Sequence, residues 1–210
     1  ERTDVAPLGV FEVFRAWKTQ VPTDERTALF FGRLSPYKGL EVFLDAAARV
    51  SQTSPGWRFV VAGKPHEGFR IPPLPTLQNG CKLDLLDRYL TTAELTRLVQ
   101  QATFVVCPYT EASQSGVVLT AYAFNKPVIV TNVGGLSEYV WHGETGLIIP
   151  PNNAQALATA MQELITHPEQ LRRMAASIEE KCANELSWQM SAQRIVDLYG
   201  RIVNSLPTRQ

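Results

Sequence analysis

What the sequence has little of narrows it first. Its 210 residues include only three cysteines and three histidines. Cys81, Cys107 and Cys182 are odd in number and far apart, without the paired C-x-x-C of a zinc or redox site. Buried, reduced thiols in a cytoplasmic protein are the expectation. His66, His142 and His167 lack the i,i+4 spacing of helical metal ligands, so no metal site is implied, and His167 before Pro168 reads as a helix-start residue. Charge of one sign is also missing. The 20 basic and 20 acidic residues cancel, leaving no electrostatic footprint for nucleic acid or an anionic membrane. No apolar run approaches the roughly 18 residues of a spanning helix, and no basic-then-apolar leader opens the sequence. Neither G-x-G-x-x-G nor G-x-x-x-x-G-K-[ST] occurs, which argues against a dinucleotide oxidoreductase and a phosphate-loop ATPase.

What is there centres on residues 103–138. Residues 103–107 form a short β-branched run without alternation, as in a strand buried on both faces of a parallel sheet. A loop follows with Glu111, Ser113, Gln114, Ser115 and Gly116, then a compact helix over 117–124 whose first turn offers unpaired backbone N–H groups. Asn125-Lys126-Pro127 stops that helix, and 128–131 returns as the next buried strand. Gly134-Gly135 turns a second loop beside the first, with the start of a helix behind it.

The rest of the chain repeats this alternation. Residues 1–22 read as an irregular lead-in with a helical turn around 11–17. Strands are expected over 28–32, 57–62, 81–86 and 147–150. Ser35-Pro36-Tyr37 makes a turn, and a helix over 38–50 shows Leu40, Phe43, Leu44 and Ala47 on one face. Residues 64–80, rich in proline and glycine, read as a long loop. Thr91 with Glu94 forms a capping box, and Asn152 with Gln155 resembles a second. Leu157, Ala160, Met161, Leu164 and Ile165 make an apolar stripe, Pro168 opens another helix, and Ser187 caps a final one carrying Ile195, Leu198, Tyr199 and Ile202. The fold class is therefore α/β: a single Rossmann-like, doubly wound parallel sheet flanked by helices, with ligands expected at the carboxyl ends of its strands. Arg33 and Lys38 flank the first strand-to-helix turn, where a planar guanidinium and a point charge can converge on one anion. The same pair taken alone is more commonly a solvated turn.

The segments GRLSPYKGL (32–40), SGVVLTAYAFNKPVIVTNVGGLSE (115–138) and HGETGLIIPP (142–151) together resemble the nucleotide-sugar-binding half of a family 4 retaining glycosyltransferase of GT-B fold. The resemblance implies a nucleotide-diphosphate sugar as donor, no other cofactor, and no metal. Catalysis would rest on Arg33, Lys38 and Glu111. Donor binding would fall to Gly32, Arg88, Ser115, Gly116, Val117, Thr120, Gly134, Gly135 and Glu138. The amides of Ser115, Gly116 and Val117 would meet the diphosphate opposite Arg33 and Lys38, while backbone groups near Arg88 face the base. It further implies an acceptor-binding N-terminal domain as partner. On that reading 1–22 follows the interdomain hinge, 23–186 is the donor-binding domain, and 187–210 is a helix and tail that pack on the other domain, leaving Tyr199 and its neighbours exposed here.

The sequence departs from the family pattern in its central loop. The family carries two glutamates there; aligned on Lys126-Pro127, this chain has Ala112, with Glu111 one place earlier, and Thr120. Glu111 either reaches the sugar or is an ordinary loop acid. Asp87 replaces a turn glycine before Arg88, and Lys126 after the helix end is expected at the surface. Glu138 matches the family, and its local role is expected to be charge complementarity at a helix start. The isolated chain is expected to transfer nothing unaided. A non-catalytic, degenerate binding module is the alternative, and a nucleotide-sugar epimerase of the same fold ranks third for want of a carboxylate pair.

Overall fold

A computed structural model of the protein describes residues 6, 8–20, 26–112 and 115–205. The apolar runs without alternation become parallel strands: β1 (Thr27–Phe31), β2 (Arg58–Ala62), β3 (Lys82–Leu86), β4 (Phe104–Cys107), β5 (Val128–Thr131) and β6 (Gly146–Ile149). They form one six-stranded sheet in the order β3-β2-β1-β4-β5-β6. Successive residues of β1 serve opposite faces. Ala28 and Phe30 pack with α1 (Leu40–Ser51) and α4 (Ala154–Thr166), whereas Leu29 and Phe31 pack with α2 (Thr92–Gln101), α3 (Gly116–Tyr122) and the far end of α5 (Pro168–Asn184). The expected stripes on α1 and α4 are the buried ones, with Leu40, Phe43, Leu44 and Ala47 facing Leu157, Met161 and Leu164 within one core.

The chain's order reverses between β1 and β4, with the β1 loop running outward to β2 and the β4 loop outward to β5. A crevice opens at such a switch point, outside the carboxyl ends of the strands. β1 and β4 meet through Ala28 opposite Phe104 and Leu29 opposite Val105.

Local chemistry sets the boundaries. Thr91 caps α2 with both halves of the capping box formed, and Ser187 Oγ accepts the Met190 amide at the start of α6 (Trp188–Ser205). The α4 cap is Asn153, whose Oδ1 accepts from the Ala156 amide at 2.8 Å; the expected Asn152–Gln155 box does not form, because Asn152 sits in a left-handed turn at φ +55°. α1 starts at Leu40 and not at 38, since Gly39 adopts φ +69° and Pro36–Lys38 is a separate 3-10 turn. Beyond α3, the Lys126 amide bonds the Ala121 carbonyl and the Asn125 amide the Tyr122 carbonyl, with Asn125 at φ +53°. This Schellman turn ends the helix before the proline acts on it.

The lead-in is pinned down. Val10 donates to the Leu186 carbonyl and receives Trp188 Nε1 at 3.0 Å, and the Leu8 amide meets Tyr139 Oη. Its helical turn is a 3-10 helix, Glu12–Trp17. On α6, Ile195, Val196, Tyr199, Ile202 and Val203 are exposed, Tyr199 to 65%. Among the described residues no helix is long and apolar enough to cross a membrane.

Candidate functional site

The carboxyl ends of β1, β2 and β3 open into a cavity of about 760 Å³ whose lining includes Gly32, Arg33, Lys64, His66, Arg88 and Tyr89. Gly63 shapes its floor: it holds φ +147°, and a Cβ there would overlap the Gly32 carbonyl oxygen, so the two loops leave the sheet in backbone contact. The Lys64 ammonium lies 4.7 Å from the centre of the exposed Tyr89 ring. Arg88 forks onto the Glu94 carboxylate at 2.7 and 3.2 Å, which holds Glu94 down at about 2.

Behind Gly32 lies a second polar group. The 3-10 turn and left-handed Gly39 send Lys38 inward, where it is only 7% exposed. Its Nζ donates to Tyr109 Oη at 2.9 Å. A Cβ on Gly32 would stand 3.0 Å from that Nζ and 3.5 Å from Val117 Cγ2, so a glycine here lets the β1 loop lie against both. Burial lowers the Lys38 pKa below the ordinary lysine value, and the charge of Arg33 lowers it further. Burial also pushes Cys107 up to about 12, so its thiol carries no charge beside the lysine at neutral pH. Tyr109, raised well above its ordinary value by burial, is a neutral phenol that also receives Ser115 Oγ at 3.5 Å.

The loops after β1, β4 and β5 are stitched together. The Tyr37 carbonyl accepts from the Thr110 amide at 2.7 Å and its hydroxyl at 3.2 Å. Thr131 Oγ1 donates to the Tyr109 carbonyl at 2.6 Å. A Cβ on Gly39 would overlap the Pro108 carbonyl oxygen, and one on Gly134, at φ +48°, the Ala112 carbonyl oxygen. Backbone packs on backbone at each junction, which only glycine permits.

The structure gathers Gly32, Arg33 and Arg88 around one cavity, with Lys38 and Val117 against the other side of Gly32 and Ser115 on the Tyr109 hydroxyl. Ser115 caps α3, its Oγ accepting the Val117 amide at 3.2 Å, so that amide already has a partner. Gly116 lies against the Phe11 ring of the lead-in. Thr120 is buried and donates back to the Gly116 carbonyl at 2.7 Å. Glu111 stands exposed on its loop; Ser113 and Gln114 lie outside the described residues. Gly135 and Glu138 belong to a 3-10 helix, Gly134–Tyr139, which corrects the expected helix start: Glu138 is exposed in its last turn, where charge complementarity to an N-terminus does not apply. Lys126, expected at the surface, is half-buried by the Schellman turn. Tyr109 was not among the expected site residues. Its signal was modest, a Pro-Tyr pair directly after a fully apolar strand.

A family model described as "Glycosyl transferases group 1" matches residues 25–167. The chain belongs to the group 1 glycosyltransferases. Among curated members it is similar to a D-inositol 3-phosphate glycosyltransferase of Corynebacterium urealyticum, 32% identical over 195 residues, covering 90% of this chain and 45% of that protein. The chain thus spans about half the length of the curated relatives it matches. Among solved structures, sucrose-phosphate synthase from Thermosynechococcus elongatus is 23% identical with a TM-score of 0.71, over 98% of this chain and 54% of that one. Anabaena Alr3699/HepE, solved in complex with UDP, is 20% identical with a TM-score of 0.66, over 85% of this chain and 49% of that one. These likenesses place the sheet as one Rossmann-like half of the GT-B fold of group 1 glycosyltransferases.

Proposed function

We propose that this chain is the donor-binding domain of a retaining, metal-independent glycosyltransferase that takes its sugar from a nucleotide diphosphate. The observation that carries this is the Lys38 ammonium, buried beside Gly32 with a phenol as its hydrogen-bond acceptor and no carboxylate partner among the described residues, with Arg33 at the neighbouring cavity mouth. A buried cation so arranged is poorly compensated until an anion arrives.

On this reading the diphosphate lies across Gly32 and the base occupies the cavity by Arg88 and Tyr89. As the bond from the anomeric carbon to the leaving phosphate oxygen breaks, Lys38 and Arg33 stabilise the charge that accumulates on the diphosphate. Lys38 is held in place before the reaction begins, so little reorganisation of that group accompanies it. Glu111 is the carboxylate proposed to face the sugar, and the acceptor is held by a second, N-terminal domain. The exposed face of α6 is proposed to pack on that domain. Free, buried Cys107 and Cys182 fit the proposed cytoplasmic setting.

One observation favours a second reading, a degenerate binding module. Thr120 spends its hydroxyl on its own helix, and Ala112 supplies no carboxylate, so neither family glutamate has a working substitute at its own position.

Calorimetric titration with UDP, GDP, ADP and their glucose derivatives tests both. Donor use predicts saturable binding that weakens by about 1–3 kcal/mol in Arg33→Ala or Lys38→Ala, the cost of a lost charged hydrogen bond. Absence of binding to every nucleotide would overturn the donor reading. Turnover by this chain alone would overturn the need for a second domain.

A further inference from the structure

At the opposite end of the sheet, below the amino ends of β4 and β5, a second cavity of about 790 Å³ is lined by Arg15, Lys18, Gln100, Asn125, Lys126 and Glu179, among others. Its volume lies in the range of small-molecule sites. The donor site has no part in it.

Its walls are built. Arg15 Nε donates to the Ala123 carbonyl at 2.8 Å, which fixes the 3-10 helix Glu12–Trp17 against the turn that ends α3. Lys18, the extended residue that ends this helix, lines the same cavity. Gln100 holds the strand-like stretch beyond, with Nε2 donating to the Thr19 carbonyl at 2.8 Å and Oε1 accepting the Thr19 amide at 3.2 Å. Lys126 enters from the Schellman turn.

Two groups in this cavity lack partners. Lys126 is half-buried, and its ammonium makes no hydrogen bond or ion pair among the described residues. Burial alone lowers its pKa to about 8, with no carboxylate close enough to raise it. Beside it, Asn125 Oδ1 is buried without a donor. Of the three cations in the lining, Arg15 already pairs with Glu12 at 3.3 Å, so Lys18 and Lys126 face the carboxylate of Glu179, with the unsatisfied Asn125 Oδ1 beside them. A neutral ligand would leave Lys126 uncompensated, and a bare anion would leave Asn125 Oδ1 unsatisfied.

We propose that this cavity binds a small phosphomonoester bearing hydroxyl groups, its phosphate held by Lys126 and Lys18, with Arg15 beside them, and one hydroxyl donating to Asn125 Oδ1 once that side chain turns its buried oxygen toward the ligand. This cavity shares no lining residue with the one by Arg33 and Arg88, and its occupancy is independent of whether the donor reading holds.

The test is titration of the whole chain with glycerol 3-phosphate, inorganic phosphate and glycerol, followed by amide chemical shifts. Saturable shifts around 123–126 with the phosphomonoester are expected, weakened at least tenfold in Lys126→Met and in Lys18→Met and unchanged in Arg33→Ala. Lys18 is exposed, so its substitution leaves the fold intact and keeps the test valid if Lys126→Met perturbs packing. Inorganic phosphate should bind more weakly and glycerol not at all. No saturable binding, or binding abolished by Arg33→Ala and not by Lys126→Met, would overturn the site. Equal affinity for phosphate and its ester would overturn the role of Asn125.

Discussion

Lys126→Met should make the protein more stable at neutral pH, with a gain that fades in alkali. The ammonium is brought from the ordinary value of 10.5 to about 8 by desolvation alone. At about 1.4 kcal/mol per tenfold change in proton affinity, this corresponds to roughly 3 kcal/mol of uncompensated charge burial. The side chain keeps some contact with solvent, so about 1–3 kcal/mol is expected, or about 2–12 °C in Tm for a domain of this size. The sign is set by proton counts. Below pH 8 both folded and unfolded chains hold the proton, and the whole penalty stands. Between pH 8 and 10.5 the folded protein sheds a proton that the unfolded chain keeps, so wild type gains stability with rising pH. Above 10.5 neither holds it, and the advantage of methionine is gone. Paired urea denaturation of wild type and variant at pH 7, 9 and 10.5 measures this difference, with shared alkaline titrations cancelling between the two. A gain that does not change with pH, or a loss at pH 7, would refute the reasoning.

Other expectations follow from the same contacts. Gly134→Ala forces a Cβ into the Ala112 carbonyl at a left-handed φ of +48°; we expect about 2–4 kcal/mol of destabilisation by thermal denaturation, together with weaker nucleotide binding, because the site loop must shift. Tyr109→Phe removes the acceptor of the Lys38 ammonium and should cost about 1–3 kcal/mol in denaturant midpoint analysis, whereas a shortfall below a few tenths would mean the lysine finds water instead. Glu94 accepts from Thr91 and Arg88 and sits near 2, below its unfolded value. Its stabilisation is present above the ordinary carboxylate range and is lost as pH falls toward 2, so acid unfolding of Glu94→Gln should show a smaller pH dependence than wild type in that range.

Much of this architecture was written locally. The unbroken apolar residues of β4, the Thr91–Glu94 box and the α4 stripe each state their structure within a few residues, because burial on two faces and satisfaction of helix-end amides are short-range demands. The failures were also local in cause. Position 38 looked helical by spacing, but Gly39 turned left-handed and put Lys38 into a separate turn, which is what buries its amine. Asn152 lost the cap to Asn153 by a left-handed turn of one residue. Lys126 reads as a surface lysine because helix-end lysines usually are; nothing nearby in sequence announces that the turn half-buries it. Tyr109 and the Gly134–Ala112 junction depend on loops far apart along the chain, so the partner that gives each its meaning was not visible from either side. The altered glutamate positions were legible as letters, but that Thr120 turns its hydroxyl onto Gly116 needed coordinates.

The stitching of the site also bears on how the protein folds. Lys38 meets Tyr109 across a separation of 71 residues, Tyr37 meets Thr110 across 73, and both junctions exist only after β1 has aligned with β4. β1–β2 and β4–β5 pairings close shorter stretches of chain and need no such alignment. Each half of the sheet can therefore mature while the cation remains hydrated and the phenol free, and the pocket around Lys38 comes into being only when the halves join. A nucleotide offered during refolding should therefore be captured only once β1 and β4 have joined, which would make its binding a report on that junction.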